Sequence, residues 1–147
     1  MLSLSGELFT TSRARYFDRD PTRPGDDPKI YVSVVPGALQ ASVLAQVDTG
    51  APWCVFHPEI VEALGLLDDS ASLGTITIST RFGQKTGHLV RLDMTLVADQ
   101  GTSLVVEGTV FACPDWEGGN FLGYRGLLQS VRTGFDPQNN VLYFGGY

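Results

Sequence analysis

The residues Ala45 to Phe56, AQVDTGAPWCVF, hold the chain's most suggestive grouping of side chains. A run of small and apolar residues ends in Asp48, Thr49, Gly50 and Ala51. A carboxylate in apolar surroundings is costly unless it is paired or hydrogen-bonded, so its retention there points to use. Its natural chemistry is proton transfer, as a general acid or base. Gly50 suits a tight turn in which a backbone N–H comes close to the carboxylate. No second Asp-Thr-Gly or Asp-Ser-Gly occurs in the 147 residues. The same stretch holds Cys54 and His57, spaced as the start of a metal site, but the chain has only two cysteines and two histidines. With no second CxxC and no HExxH, a buried thiol and a histidine at a helix start are the favoured reading. Cys54 is also a poor nucleophile with His57 or His88, because apolar neighbours raise a thiol pKa.

The elements that must position Asp48 are mostly strands. IYVSVVPGALQASVLAQVD reads as a hairpin around Pro36 and Gly37 whose second strand delivers Asp48. WCVF reads as a further buried strand. Pro58 opens a short helix, PEIVEALGL, with Glu59 and Glu62 suited to its start and Gly65 to its stop. Ile60, Val61 and Leu64 share its inner face. TITIST and HLVRLDMTLVA, around RFGQKTG, read as a long hairpin with a polar tip from Thr80 to Gly87. A further hairpin turns at Asp99-Gln100-Gly101. PDWEGGN is a loop in which Trp116, with Gly118 and Gly119, either edges a pocket or, on the plainer reading, is an ordinary loop residue, and FLGYRGLLQSV enters a short helix near Tyr124. GFDPQNNVLYFG closes the chain as two strands joined at Pro137 to Asn140. In the first 28 residues, LSLSGELF reads as a short strand and DRDPTRPGDDP as a loop.

Composition narrows the classes. One domain of ordinary size fits the length, and 43% hydrophobic residues can build a core without metals or disulfides. The 17 glycines and 8 prolines are dispersed, as many turns between short strands require. A net charge of −6 disfavours nucleic acid and anionic membranes as partners. Arg13, Arg15, Arg19 and Arg23 gather early, but Asp18, Asp20, Asp26 and Asp27 interleave with them, as in a solvated segment. Cys54 and Cys113 are too few for a disulfide framework. MLSLSGELFTTSRAR lacks the basic head and apolar run of a signal peptide, so the expected location is cytoplasmic.

Val47 to Ala51, VDTGA, resembles the active-site loop of aspartic proteases. The order of the surroundings extends the likeness: a hairpin before the motif, a long hairpin about thirty residues later, Phe121-Leu122-Gly123 running on near the C-terminus, and a closing hairpin. Over roughly residues 30 to 147 the chain is similar to the retropepsin-like family. That resemblance implies an all-β fold, a closed barrel with a flap hairpin and one or two short helices, over residues 29–147, preceded by an N-terminal extension, 1–28, of unclear role. It implies peptide-bond hydrolysis by two carboxylates that share one proton. A chain with one motif must then work as a homodimer, each subunit giving one Asp48 across a two-fold axis. Asp48 is the catalytic residue on this reading, Thr49, Gly50 and Ala51 support the loop, and Arg81, Phe82, Gly83 and Gln84 form the substrate-covering flap. No metal or organic cofactor is implied; the partners are a peptide or protein substrate and a second copy. Pro52 and Trp53 depart from the polar residues of retroviral members, and Trp53 suits a substrate subsite, the core or an interface equally. Arg81, Lys85 and His88 make the hairpin basic, which would suit acidic peptides; solvated surface charge is the plainer reading. The alternative from another class is a non-catalytic retropepsin-like dimerisation or peptide-binding module.

Overall fold

A computed structural model describes all 147 residues. The central unit is a six-stranded sheet. In it β4 (Tyr31–Pro36) and β5 (Val43–Asp48) form the expected hairpin, and β5 runs parallel to β9 (Phe121–Gly123). The long hairpin is β6 (Gly74–Thr80) and β7 (Gly83–Leu96), and β7 also pairs with β8 (Leu104–Ala112) and β4. A three-stranded sheet joins β10 (Arg132–Asp136), β11 (Val141–Gly145) and β3 (Ser12–Arg15). The N-terminal stretch read as one strand is instead a two-stranded hairpin, β1 (Ser3–Leu4) and β2 (Glu7–Leu8). Ser5 and Gly6 both take positive φ there, the geometry a two-residue hairpin turn demands.

Strand β7 serves two cores. Along its 14 residues the buried positions are odd-numbered near the tip, Lys85 and Gly87, and even-numbered further on, Val90, Met94 and Leu96. The change of parity falls at His88 and Leu89, where β6 and β8 both pair with it. The inner half packs into a cluster of 19 buried residues that includes Val34, Phe56, Val61, Met94 and Phe144. The outer half lies over a smaller cluster of Val55, Phe111, Cys113 and Trp116, extended by Trp53, Ile76, Ile78 and Phe121.

The sheets do not close into the expected barrel. Closure needs a continuous ladder from strand to strand. Between β8 and β9 the chain inserts Trp53 to Phe56, which makes only single bridges, Cys54 to Val110 and Val55 to Phe121. Pro52 and Pro58 flank that segment and have no N–H to extend a ladder. Cys54, Val55 and Phe56 are therefore buried as expected, but WCVF is not a strand. A second correction concerns the helix expected near Tyr124: the chain turns there and makes only a single 3-10 turn, Leu128–Ser130. Helix α1 (Pro58–Ala63) forms where expected, with the His57 ring accepting from Glu59 N–H, Val61 fully buried, and Gly65 at φ +68 just beyond it. Six residues cannot hold a helix alone, so packing of Val61, Ile60 and Leu64 against the large cluster sustains it.

Residues 12–17 are built into the body. Strand β3 lies at the edge beside β11, and Arg13 exchanges backbone hydrogen bonds with Gln100 in the turn between β7 and β8. Arg15 N–H donates to Asp99 Oδ2 at 2.6 Å, which ties the same turn to the strand. No helix is long and apolar enough to cross a membrane.

Candidate active site

Asp48 ends β5, and its setting follows from strand register. Side chains two apart on a strand share a face, so Gln46 and Asp48 point the same way. Gln46 is paired with Tyr31 on one side and with Phe121 on the other, so all three join that face. Asp48 itself pairs with Gly123. Gly50 N–H donates to Asp48 Oδ1 at 2.9 Å, and Ala51 N–H to the Asp48 carbonyl at 3.3 Å. The Asx turn so formed holds the carboxylate at the mouth of the loop.

The loop is braced from below by the Phe121–Gly126 segment. Tyr124 N–H donates to the Ala51 carbonyl at 2.7 Å and Gly126 N–H to the Pro52 carbonyl at 3.0 Å. Such close stacking needs glycine: a Cβ at Gly123 would collide with the Trp53 backbone, and one at Gly126 would meet Cys54 N at 2.5 Å. The apolar-apolar-Gly signal in the sequence thus has a steric cause in this fold.

A cleft of about 410 Å³ opens over this floor. Asp48, Gly50, Ala51, Pro52 and Trp53 line it from the loop; Ile78, Ser79, Thr80 and Arg81 from the hairpin; Trp116 and Phe121 from the far wall. Trp53 thus lines the cleft, and of the two readings of Trp116 the pocket-edge one holds: it is a wall residue. Its indole N–H is satisfied by the Gly119 carbonyl at 2.9 Å, leaving the ring to meet Phe82 and Phe121 edge-on.

Thr49 sits elsewhere. Its side chain is exposed and lines a groove of about 140 Å³ with Tyr124, Leu128 and Phe135, in which ten of twelve lining residues are hydrophobic. Tyr124 and Phe135 are 51% and 41% exposed, so the groove presents apolar surface to solvent.

Among the four residues expected to cover the cleft, Arg81 alone lines it. The hairpin tip is tighter than the sequence suggests: Thr80 pairs with Gly83, leaving Arg81 and Phe82 as the turn. Gly83 takes φ +92, a conformation that glycine adopts without the cost a side chain would add. Thr80 Oγ1 fastens the turn by donating to the Gly83 carbonyl at 2.8 Å and accepting from Phe82 N–H. Gln84 is exposed on β7, and Phe82 turns to Trp116, with ring centroids 5.7 Å apart. The sequence reading placed Thr80 in the covering hairpin, but Ile78, Lys29 and Gln46 carried no expectation. For Gln46 the signal was present, two residues before Asp48 on the same strand.

The hairpin is also tied down by charge. Lys85 Nζ donates to Glu117 Oε2 at 2.8 Å and to the Asp115 carbonyl at 3.0 Å. The hydrogen bond to Glu117 leads the causes that raise the Lys85 pKa. Asp115 is held below the usual carboxylate range, chiefly because the Cys113 thiol donates to it at 3.0 Å. Burial pushes the Cys113 thiol up to about 11 and the Cys54 thiol up to about 12, which leaves both protonated and unreactive near neutrality. Both cysteines are free and buried. No three His, Cys, Asp or Glu side chains come together as a metal site.

No family model matches the chain, and no curated protein matches its sequence. Solved structures do. A retropepsin-like aspartic protease from Rickettsia conorii is 20% identical, with a TM-score of 0.53 over 89% of this chain and 97% of that one. The retroviral protease-like domain of Ddi1 from Leishmania major is 17% identical, with a TM-score of 0.51 over 81% of this chain and 94% of that one. The chain has an all-β, retropepsin-like fold.

Proposed function

We propose that this protein is an aspartic endopeptidase that acts as a homodimer. The observation that carries the reading is the Asp48 carboxylate, fixed by Gly50 N–H at the floor of a cleft that a long hairpin overhangs. Two such loops facing each other across a two-fold axis bring the two Asp48 side chains together. Like charges at that range cannot both ionise, so the pair keeps one proton and titrates as a unit. The ionised carboxylate takes a proton from water as the water attacks the scissile carbonyl. The protonated one donates to the carbonyl oxygen, and the proton then passes to the leaving nitrogen. Exposed Thr49 and the apolar groove around Tyr124 and Phe135 supply a surface for the second copy. Gly50 and Ala51 hold the loop, and the hairpin from Ile78 to Arg81 covers the bound peptide.

The test is hydrolysis of a mixed peptide library between pH 3 and pH 8, wild type beside Asp48→Asn, with oligomeric state read on the same samples. Removing a general acid–base group lowers the rate about 10²- to 10⁴-fold, so cleavage by the wild-type dimer and its loss in the folded variant support the reading. A variant that cleaves at the wild-type rate refutes the mechanism. A folded wild-type dimer with no cleavage at any pH leaves a peptide-binding module in its place, and a stable monomer removes the shared pair.

A further inference from the structure

The cleft does not end beside Asp48. A second cavity of about 330 Å³ continues it, and the two share Lys29, Gln46, Arg81 and Phe121. Lys29 and Arg81 therefore stand at the waist, one from the segment before β4 and the other from the hairpin tip. The outer cavity is lined mainly by polar residues.

The charges there are unevenly satisfied. Asp20, from the outer cavity, accepts from Thr22 N–H at 2.8 Å and Thr22 Oγ1 at 2.7 Å, which holds its carboxyl below the usual range. Asp26 also lines only the outer cavity. None of Lys29, Arg81 and Arg23 forms an ion pair with a carboxylate. The Arg81 guanidinium lies 4.8 Å from the Phe82 ring centroid, Phe82 is edge-on to Trp116, and Arg81 lines both cavities. Two cations without a carboxylate ion pair thus line the junction of the two cavities in a protein of net charge −6. A carboxylate entering there exchanges water for charge-assisted hydrogen bonds, and with Arg81 the pairing can be bidentate.

We propose that Lys29 and Arg81 form a subsite for a carboxylate of the bound peptide, close to the scissile bond. The inference rests on the peptidase reading of this same cleft. Gln46 marks the waist and lies two strand residues from Asp48, about 7 Å, which is the span of two extended peptide units. The carboxylate therefore belongs within about two residues of the bond that is cut. An acidic side chain and the peptide's own C-terminus offer the same group.

Binding separates this inference from the activity. Asp48→Asn protein is titrated with octapeptides in matched pairs, Glu against Gln at each position and C-terminal acid against C-terminal amide. The expected result is a preference for one acid form of roughly ten- to a hundredfold, the range of a hydrogen bond to a charged group. The pair that shows it names the source of the carboxylate. That preference should vanish in Lys29→Gln/Arg81→Gln in the same background, with thermal stability unchanged. Equal binding of acid and amide forms, including no binding of either at millimolar peptide, overturns the proposal, as does a preference that survives the double variant. Wild-type cleavage is read in parallel. A wild type that cuts nothing while the preference stands sinks the peptidase and keeps the subsite; cutting without the preference does the reverse.

Discussion

The Asp48 loop and the hairpin above it are held in opposite ways. The hairpin is complete within its own chain: Thr80 closes its turn, Phe82 meets Trp116, and Lys85 binds Glu117 and the Asp115 carbonyl. The loop is braced from beneath by Tyr124 and Gly126, yet its outward side presents Thr49 and an apolar groove to solvent. Tyr124 and Phe135, large and partly exposed along this groove, are apolar surface that a partner can cover. On the homodimer proposed above, the contrast marks where the second copy would bind. A single protomer can shape the cover of the cleft, but its floor offers one carboxylate and an uncovered flank.

Charging that flank breaks the contrast most severely. Tyr124→Lys/Phe135→Lys should raise the dimer dissociation constant roughly tenfold or more, since apolar anchors near an interface centre carry most of its energy. Sedimentation at several concentrations reads it, and an unchanged dimer would move the interface elsewhere. Peptide cleavage should fall in step with the dimer fraction.

Gly123→Ala strikes the brace rather than the flank. Its Cβ would meet backbone atoms of Trp53, which cannot swing aside as a side chain can. Overpacking of this kind costs about 1–3 kcal/mol. The midpoint of chemical denaturation should fall accordingly, and Asp48 should be displaced even where the fold survives. A variant as stable as wild type would mean that the loop has slack.

On the hairpin side the effects are local. Lys85→Met keeps the stem and removes the charge, while Asp115 and Glu117, already 69% and 61% exposed beside Lys85, remain hydrated. Amide exchange of residues 80–86 should quicken while the global unfolding midpoint stays within error. A global loss would show that the hairpin and the main core unfold together.

The smallest effect is one of pH. Asp115 has its folded-state pKa depressed, so its contribution is present above the ordinary 3.8 and is lost as pH falls through the lower folded value. Lys85 is raised, so its contribution is present below the ordinary 10.5 and is lost as pH climbs through the higher folded value. Exchange protection at the hairpin tip should therefore stay level between about pH 4 and pH 10 once the intrinsic rate is divided out, and drop on either side. A break near pH 6 or 7 would implicate another group.

Much of this was legible because it is local. Pro36-Gly37 between β-branched runs announces a hairpin, Pro58 and Gly65 bracket a helix, and Asp-Thr-Gly specifies a turn that turns an N–H toward a carboxylate. Each follows from the conformational limits of a few adjacent residues. The arrangement of the cleft was not legible, because its walls come from segments far apart in the chain. Whether Trp116 edges a pocket or is an ordinary loop residue stays open until Phe82 and Phe121 are set beside it. The four residues Trp53 to Phe56 look like a strand, and they fail to be one because two prolines and two different neighbours leave only single bridges. Lys85, four residues beyond Arg81, reads as one more solvated flap charge, whereas pairing with the 115–117 loop buries its stem. Lys29 gives no local signal at all. Local steric preference writes turns and periods into neighbouring residues, but which distant side chains share a cavity is set by how the sheets pack, and no short stretch of sequence encodes that.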